Sequence, residues 1–180
     1  MIGNEGMNIV LIGYRGTGKT SVGVALSKRL GKDFCDTDDY IEEKAKREIK
    51  DMVATEGWDF FRAREKEAIR EVSSAENCVI AAGGGAVLDE GNVENLKKEG
   101  VIVLLEATTQ TILERMQYDK RTEQQRPSLT GKDPYEEIEE VLESRMPVYQ
   151  RVMDFAVDTT SKSIDQVVDE IVQKLGEYGG

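Results

Sequence analysis

Histidine is absent from this chain. That removes imidazole general bases, serine–histidine nucleophiles and histidine metal ligands together, so any acid–base work falls to carboxylates, lysines or water. Cysteine is scarce: Cys35 and Cys78 are the only two. Both lie beside apolar residues at expected strand positions, which favours buried reduced thiols over a disulfide or a zinc pair. Positive charge is in deficit, with 24 Lys and Arg against 35 Asp and Glu and a net charge of −11. Nonspecific binding to nucleic acid or to an anionic membrane is therefore not expected. Apolar runs reach only about strand length, as at Val101–Leu105, too short to span a bilayer. Residues Met1 to Met7 lack the charged and apolar regions of a secretion signal. Met7 could serve as an alternative start, which would make the first six residues a dispensable tail. A cytoplasmic protein is expected. Phosphoryl transfer suits such a composition, because it rests on positioning, Mg²⁺ and cationic stabilisation.

Against these absences stands one complete motif. The apolar run Ile9-Val10-Leu11-Ile12 feeds Gly13-Tyr14-Arg15-Gly16-Thr17-Gly18-Lys19-Thr20, a G-x-x-x-x-G-K-T phosphate loop. Its glycines let backbone N–H groups close around phosphate oxygens. Lys19 brings a mobile charge to the terminal phosphates, and the Thr20 hydroxyl is placed to ligate Mg²⁺. Apolar residues at 22, 26 and 30 predict a helix after the loop, whose N-terminus favours an anion. The chain is expected to bind a nucleoside triphosphate.

At 180 residues the length suits one well-buried domain. Strand candidates at about 8–12, 33–36, 78–82, 101–105 and 154–158 alternate with helical patterns at about 19–30, 39–49, 59–75, 90–98, 108–117, 134–151 and 163–176. Such alternation implies an α/β fold, a mainly parallel sheet with helices on both faces. The polar stretch Gln117–Gly131 reads as a long surface loop, the natural place for a basic lid over the phosphates.

Further segments narrow the chemistry. Asp36-Thr37-Asp38 ends the second strand, where one carboxylate can serve the metal and the other accept a hydroxyl proton. The alternative is a helix cap, since Asp39 and Glu42 have capping-box spacing. Arg62 could fork onto a substrate carboxylate, but its spacing to Glu65 alone favours an ordinary surface pair. Gly83-Gly84-Gly85 closes the third strand and would let backbone approach a ligand. That strand ends without an aspartate, which directs the metal role to Asp36. Arg145 lies in a helical pattern interrupted by Pro147, which should kink or end the helix. Arg145 is an anion-ligand candidate, and a surface arginine fits as well.

In their order these residues resemble the shikimate kinase family over nearly the whole chain: the loop Gly13–Thr20, Asp36-Thr37-Asp38, Phe61-Arg62 with Glu65, Gly83-Gly84-Gly85, Arg126-Pro127, Arg145-x-Pro147-x-Tyr149 and Val157-Asp158-Thr159. The resemblance implies the nucleoside monophosphate kinase-like fold: a three-layer P-loop kinase over residues 1–180 with a five-stranded parallel sheet, a substrate-binding region at about 37–70 and a lid at about 117–131. It implies ATP as co-substrate with Mg²⁺, and phosphorylation of the shikimate 3-hydroxyl in aromatic amino-acid biosynthesis. Shikimate would be held by Asp38, Arg62, the Gly83–Gly85 run and Arg145, with the arginines on its carboxylate and Asp38 as base. Lys19 and Arg126 would stabilise the transferring phosphoryl group, and Arg15, Gly16, Thr17, Gly18, Lys19 and Thr20 would cradle the nucleotide. Thr20 would bind Mg²⁺ directly and Asp36 through water. Arg115 would stack on adenine opposite the loop Thr160–Ile164, where Lys162 replaces a common arginine. Tyr118–Gln124 looks like a short insertion in the lid. A monomer is expected.

Rival readings are a gluconate or nucleotide kinase, a GTPase and a non-catalytic ATP-binding relative. The triple glycine and the Asp-Thr-Asp segment count against the first. The second lacks N-K-x-D and D-x-x-G motifs, and the third should have lost Lys19, Asp36, Asp38 or Arg126.

Overall fold

The computed structural model describes residues 6–119 and 127–178. Its centre is a sheet of β1 (Asn8–Ile12), β2 (Asp33–Asp36), β3 (Cys78–Ala81), β4 (Gly100–Glu106) and β5 (Phe155–Asp158). All neighbours run parallel, in the order β2-β3-β1-β4-β5. The α/β expectation and the five parallel strands are borne out.

Strand periodicity explains the layers. Every residue of β1 is buried, yet successive side chains face opposite sides. Ile9 and Leu11 join Val22 and Leu26 of α1 (Lys19–Leu30) and Ile171 and Leu175 of α8 (Ile164–Tyr178). Val10 and Ile12 face Ile69 of α4 (Trp58–Val72), Leu96 of α5 (Glu90–Lys98) and Val152 of α7 (Pro134–Val152). Each such aliphatic side chain contributes roughly 1.5–3 kcal/mol on burial. The chain leaves β1 toward β2 on one side and later crosses to β4 on the other. A crevice therefore opens at the carboxyl end of β1, where the strand order reverses.

A third apolar cluster, Ile41, Ile49, Met52, Phe61 and Ala68, joins α2 (Thr37–Ala45), α3 (Ile49–Glu56) and α4. The single helix expected over 39–49 is here two elements. Lys46 adopts a left-handed conformation (φ 51°) and ends α2, and the Glu42 carboxylate accepts the Ile49 N–H at 2.8 Å where α3 begins. Ile41, Ala45 and Ile49 are spaced by four, which hides the break from a periodicity reading. Nor is Asp39 the cap. Asp36 Oδ1 accepts the N–H groups of Asp38 (3.0 Å) and Asp39 (3.4 Å) and so caps α2 itself. Pro147, expected to kink or end its helix, lies inside a helical span that continues to Val152. Pro147 and Glu143, four residues earlier, are both exposed, so water can satisfy the carbonyl the proline leaves unpaired.

Both cysteines are free thiols, Cys78 buried and Cys35 half-buried. Burial pushes the Cys35 thiol up to about 11, with Cys78, Asp36 and Asp39 adding to it. At pH 8 only about 0.1% is then thiolate. Alkylation of the folded protein should be slow, rise about tenfold per pH unit below 11, and become fast in denaturant. Rapid labelling of Cys35 at pH 8 would contradict this burial.

Candidate active site

β1 delivers the chain into the phosphate loop, and Gly18 (φ 95°) is the N-cap of α1 without any side-chain cap. The left-handed turn suits glycine, and it leaves the first N–H groups of α1 open to an anion. Lys19 is buried, and its Nζ donates to the carbonyls of Gly13 (2.7 Å) and Tyr14 (2.9 Å). Beside the loop lies a cavity of about 490 Å³. It is lined by the loop from Gly16 onward, by Arg115 and Thr159, and by Lys162, Ser163 and Ile164. Arg115 is on α6 (Thr109–Tyr118). Its Nη1 donates to Gly16 O (3.2 Å) and Thr159 Oγ1 (2.9 Å), and its Nη2 to Thr159 O (2.8 Å). Lys162 pairs with Glu170.

Thr20 Oγ1 donates to Asp36 Oδ2 at 2.7 Å. The phosphate-loop hydroxyl and the β2 carboxylate thus meet beside the anion site. An all-oxygen pair fits Mg²⁺, which takes few protein ligands and completes its shell with phosphate and water. Among the described residues there is no cluster of three or more acidic or cysteine side chains suited to hold a metal.

A second, smaller cavity of about 50 Å³ is bordered by Asp38, Trp58, Arg62, Glu65 and Gly83–Gly85. It has room for only a few water molecules, so a ring-sized ligand requires its walls to move. The glycines are needed here for space. A Cβ on Gly83 would stand 2.8 Å from Asp38 Oδ1 and 3.0 Å from Glu65 Oε2. One on Gly84 would stand 3.3 Å from Arg145 Nη1, and one on Gly85 2.4 Å from Arg62 Nη2. Three hydrogens on one strand exit therefore seat Asp38, Arg145 and Arg62 in sequence.

The Arg62–Glu65 pair forms at 2.6 Å, but the side chain of Glu65 is only 2% exposed. The surface-pair reading fails for this reason. Burial pushes the Glu65 carboxyl up, and Arg62 pulls the other way. Arg62 also lies over the rings of Trp58 (5.5 Å) and Phe61 (5.3 Å), which fixes its plane.

Arg15, expected at the nucleotide, points elsewhere. Its guanidinium donates to Pro127 O (3.3 Å from both Nη atoms) and borders the smaller cavity. Arg126 lies outside the described residues, as does most of the apparent insertion Tyr118–Gln124. The chain after it is tied down by Glu137, whose carboxylate accepts Ser128 Oγ, Leu129 N (3.0 Å) and Thr130 N (2.9 Å). Burial alone would raise the Glu137 carboxyl, but the donors from Ser128 and Thr130 hold it below its ordinary value.

Three residues that stand in the sequence motifs without an assigned role, Thr37, Tyr149 and Thr159, support the site. Thr37 Oγ1 accepts the Gly83 N–H at 3.0 Å. Tyr149, 1% exposed, donates its hydroxyl to Gly84 O at 2.6 Å. The buried Thr159 hydroxyl links several elements at the nucleotide cavity. Each of these bonds joins residues more than 40 positions apart, so no local spacing announces them.

A family model described as shikimate kinase matches residues 15–176. A shikimate kinase of Syntrophus aciditrophicus is 48% identical, covering 96% of this chain and 92% of its own. The structure of shikimate kinase from Acinetobacter baumannii in complex with shikimate superposes with a TM-score of 0.89 at 32% identity, covering 96% and 94% of the two chains. A gluconokinase from Sinorhizobium meliloti shares the fold at 19% identity, covering 96% and 93%, with a TM-score of 0.60.

Proposed function

The chain belongs to the shikimate kinase family, and we propose that its two cavities divide the reaction, with ATP in the larger and shikimate in the smaller. The activity is ATP-dependent phosphorylation of shikimate, a step toward the aromatic amino acids. The observation that carries the residue assignment is the convergence of Asp38, Arg62 and Arg145 on Gly83–Gly85, at the carboxyl end of β3 beside the phosphate loop at the carboxyl end of β1.

Arg62 and Arg145 grip the shikimate carboxylate, since two guanidinium forks suit one planar anion. Glu65, with the Trp58 and Phe61 rings, holds Arg62 in orientation. Asp38 orients the 3-hydroxyl and takes its proton as the oxygen attacks the γ-phosphorus. The bond to the β-phosphate breaks and ADP leaves. Lys19 turns from the Gly13 and Tyr14 carbonyls to the phosphates. Thr20 and Asp36 would hold Mg²⁺, which would supply charge neutralisation for the phosphates. Arg115 borders the base, and Ile164 and Val167 offer an apolar surface in the same cavity. Arg15 contributes its backbone to the loop, while its side chain serves the lid exit at Pro127.

Arg126 completes the proposal as a cation on the transferring phosphoryl group. Arg126→Ala should lower kcat by about 10²-fold with little change in shikimate affinity. An unchanged kcat would remove Arg126 from the chemistry.

The net charge of −11 supports no nucleic-acid or anionic-membrane partner. No described helix is long and apolar enough to cross a membrane, and the two free thiols are consistent with residence in the cytoplasm.

The test is ADP release from Mg-ATP with shikimate, gluconate or a nucleoside monophosphate as acceptor. Release dependent on shikimate alone is expected. Turnover with another acceptor would reassign Asp38, Arg62 and Arg145 while leaving the phosphate site in place.

A further inference from the structure

We infer that Thr159 is a positioning residue for the nucleobase end of the nucleotide cavity, its buried hydroxyl holding the Arg115 guanidinium in place. The inference rests on the reading that Arg115 borders the base.

Thr159 follows β5 directly and is 2% exposed. Its N–H donates to Glu106 O at 2.8 Å, and its hydroxyl reaches the same carbonyl at 2.9 Å. The end of β4 thereby fixes both the backbone and the side-chain rotamer of Thr159. The hydroxyl oxygen also lies 3.2 Å from the Thr17 carbonyl of the phosphate loop. With its single proton committed to these carbonyls, the oxygen keeps its lone pairs for a donor. That donor is Arg115 Nη1 at 2.9 Å, while Nη2 takes the Thr159 carbonyl at 2.8 Å.

The guanidinium is thus forked onto two atoms of one residue, and a third bond from Nη1 to Gly16 O ties it to the loop. Three acceptors define a plane. An arginine that presents its face to a base must hold such a plane, because a rotated guanidinium offers its edge. Arg115 has many rotamers to lose, and ordering it before the nucleotide arrives lowers the cost of binding. Thr159 is the one residue that supplies two of the three acceptors. Its β-branched side chain, rigid in χ1, does so without motion of its own.

Replacing the hydroxyl by a methyl group of similar size removes the acceptor and leaves an Arg115 N–H facing carbon. Thr159→Val should raise the KM for ATP about tenfold, and the KM for shikimate less than twofold. Thr159→Ser, which keeps the oxygen, should remain near the parent. Inorganic triphosphate, which has no base, should inhibit Thr159→Val and the parent with equal Ki. If the valine variant does not fold, Thr159→Ala takes its place with the same readouts.

In the Arg115→Ala background, Thr159→Val should add little further increase, since its effect travels through Arg115. Three results would overturn the inference: an unchanged KM for ATP, a triphosphate Ki that rises as much as that KM, or full additivity with Arg115→Ala. Separately, an Arg115→Ala protein with the parent's KM for ATP would show that Arg115 does not border the base. The two failures are therefore distinguishable.

Discussion

Asp38→Asn should lower kcat by about 10³-fold while moving the KM for shikimate by less than about tenfold. Asp38 is buried in the first turn of α2, beside the position of a Gly83 Cβ. Its placement follows from Asp36, which caps the helix and so fixes the turn that aims Asp38 inward. Asparagine keeps the size and one acceptor oxygen, so the hydroxyl can still be oriented. It cannot take the proton, and that loss falls on the transition state alone. The check is steady-state kinetics with circular dichroism to confirm folding. Near-parental kcat would mean that Asp38 only orients shikimate and that water accepts the proton.

Lys19→Ala should cost about 10³-fold in kcat/KM for ATP. Before nucleotide binds, the ammonium is held within 2.9 Å of two loop carbonyls and is already largely out of water. The desolvation of this charge is thus met by the fold, not by the nucleotide, and the lysine is available at full electrostatic strength when phosphates enter. Alanine removes the donor to the Gly13 carbonyl, while Tyr14 O keeps the Thr17 hydroxyl at 2.8 Å. The lost donor adds a stability cost of about 1–3 kcal/mol. Thermal melting separates the two effects. A variant that melts earlier but turns over normally would make Lys19 a structural brace only.

How much of this was legible in the residues depended on distance along the chain. The phosphate loop and the Thr20 hydroxyl lie within eight consecutive positions, and the helix Lys19–Leu30 continues directly from them, so their geometry is written locally. Asp36 and Asp38 were legible for the same reason, although the cap was expected at Asp39. Glu65 was not, because a surface pair and a buried anchor have the same three-residue spacing. What separates them is that Gly85 passes under Arg62, a contact across more than twenty residues. The direction of Arg15 was hidden likewise: its partner, Pro127, is 112 positions away. α3 escaped because spacing by four across Ala45 imitates an unbroken helix.

The run Gly83–Gly85 has a consequence for how this gene can change. At Gly83 and Gly85 the nearest atoms an added Cβ meets are side-chain ends of Asp38, Glu65 and Arg62, which it would push out of their places in the site, and not backbone. At Gly13, by contrast, it would press within 2.4 Å of the Leu105 carbonyl oxygen. Single-nucleotide changes in a glycine codon lead to alanine, serine, valine, aspartate and others, every one carrying a Cβ. Missense alleles at 83 and 85 should therefore yield abundant, folded and inactive protein, whereas those at 13 should be lost as unfolded chains. Selection at the triple glycine then acts on catalysis without passing through protein abundance. A cell could compensate a Gly13 allele with more chaperone, but not a Gly85 allele.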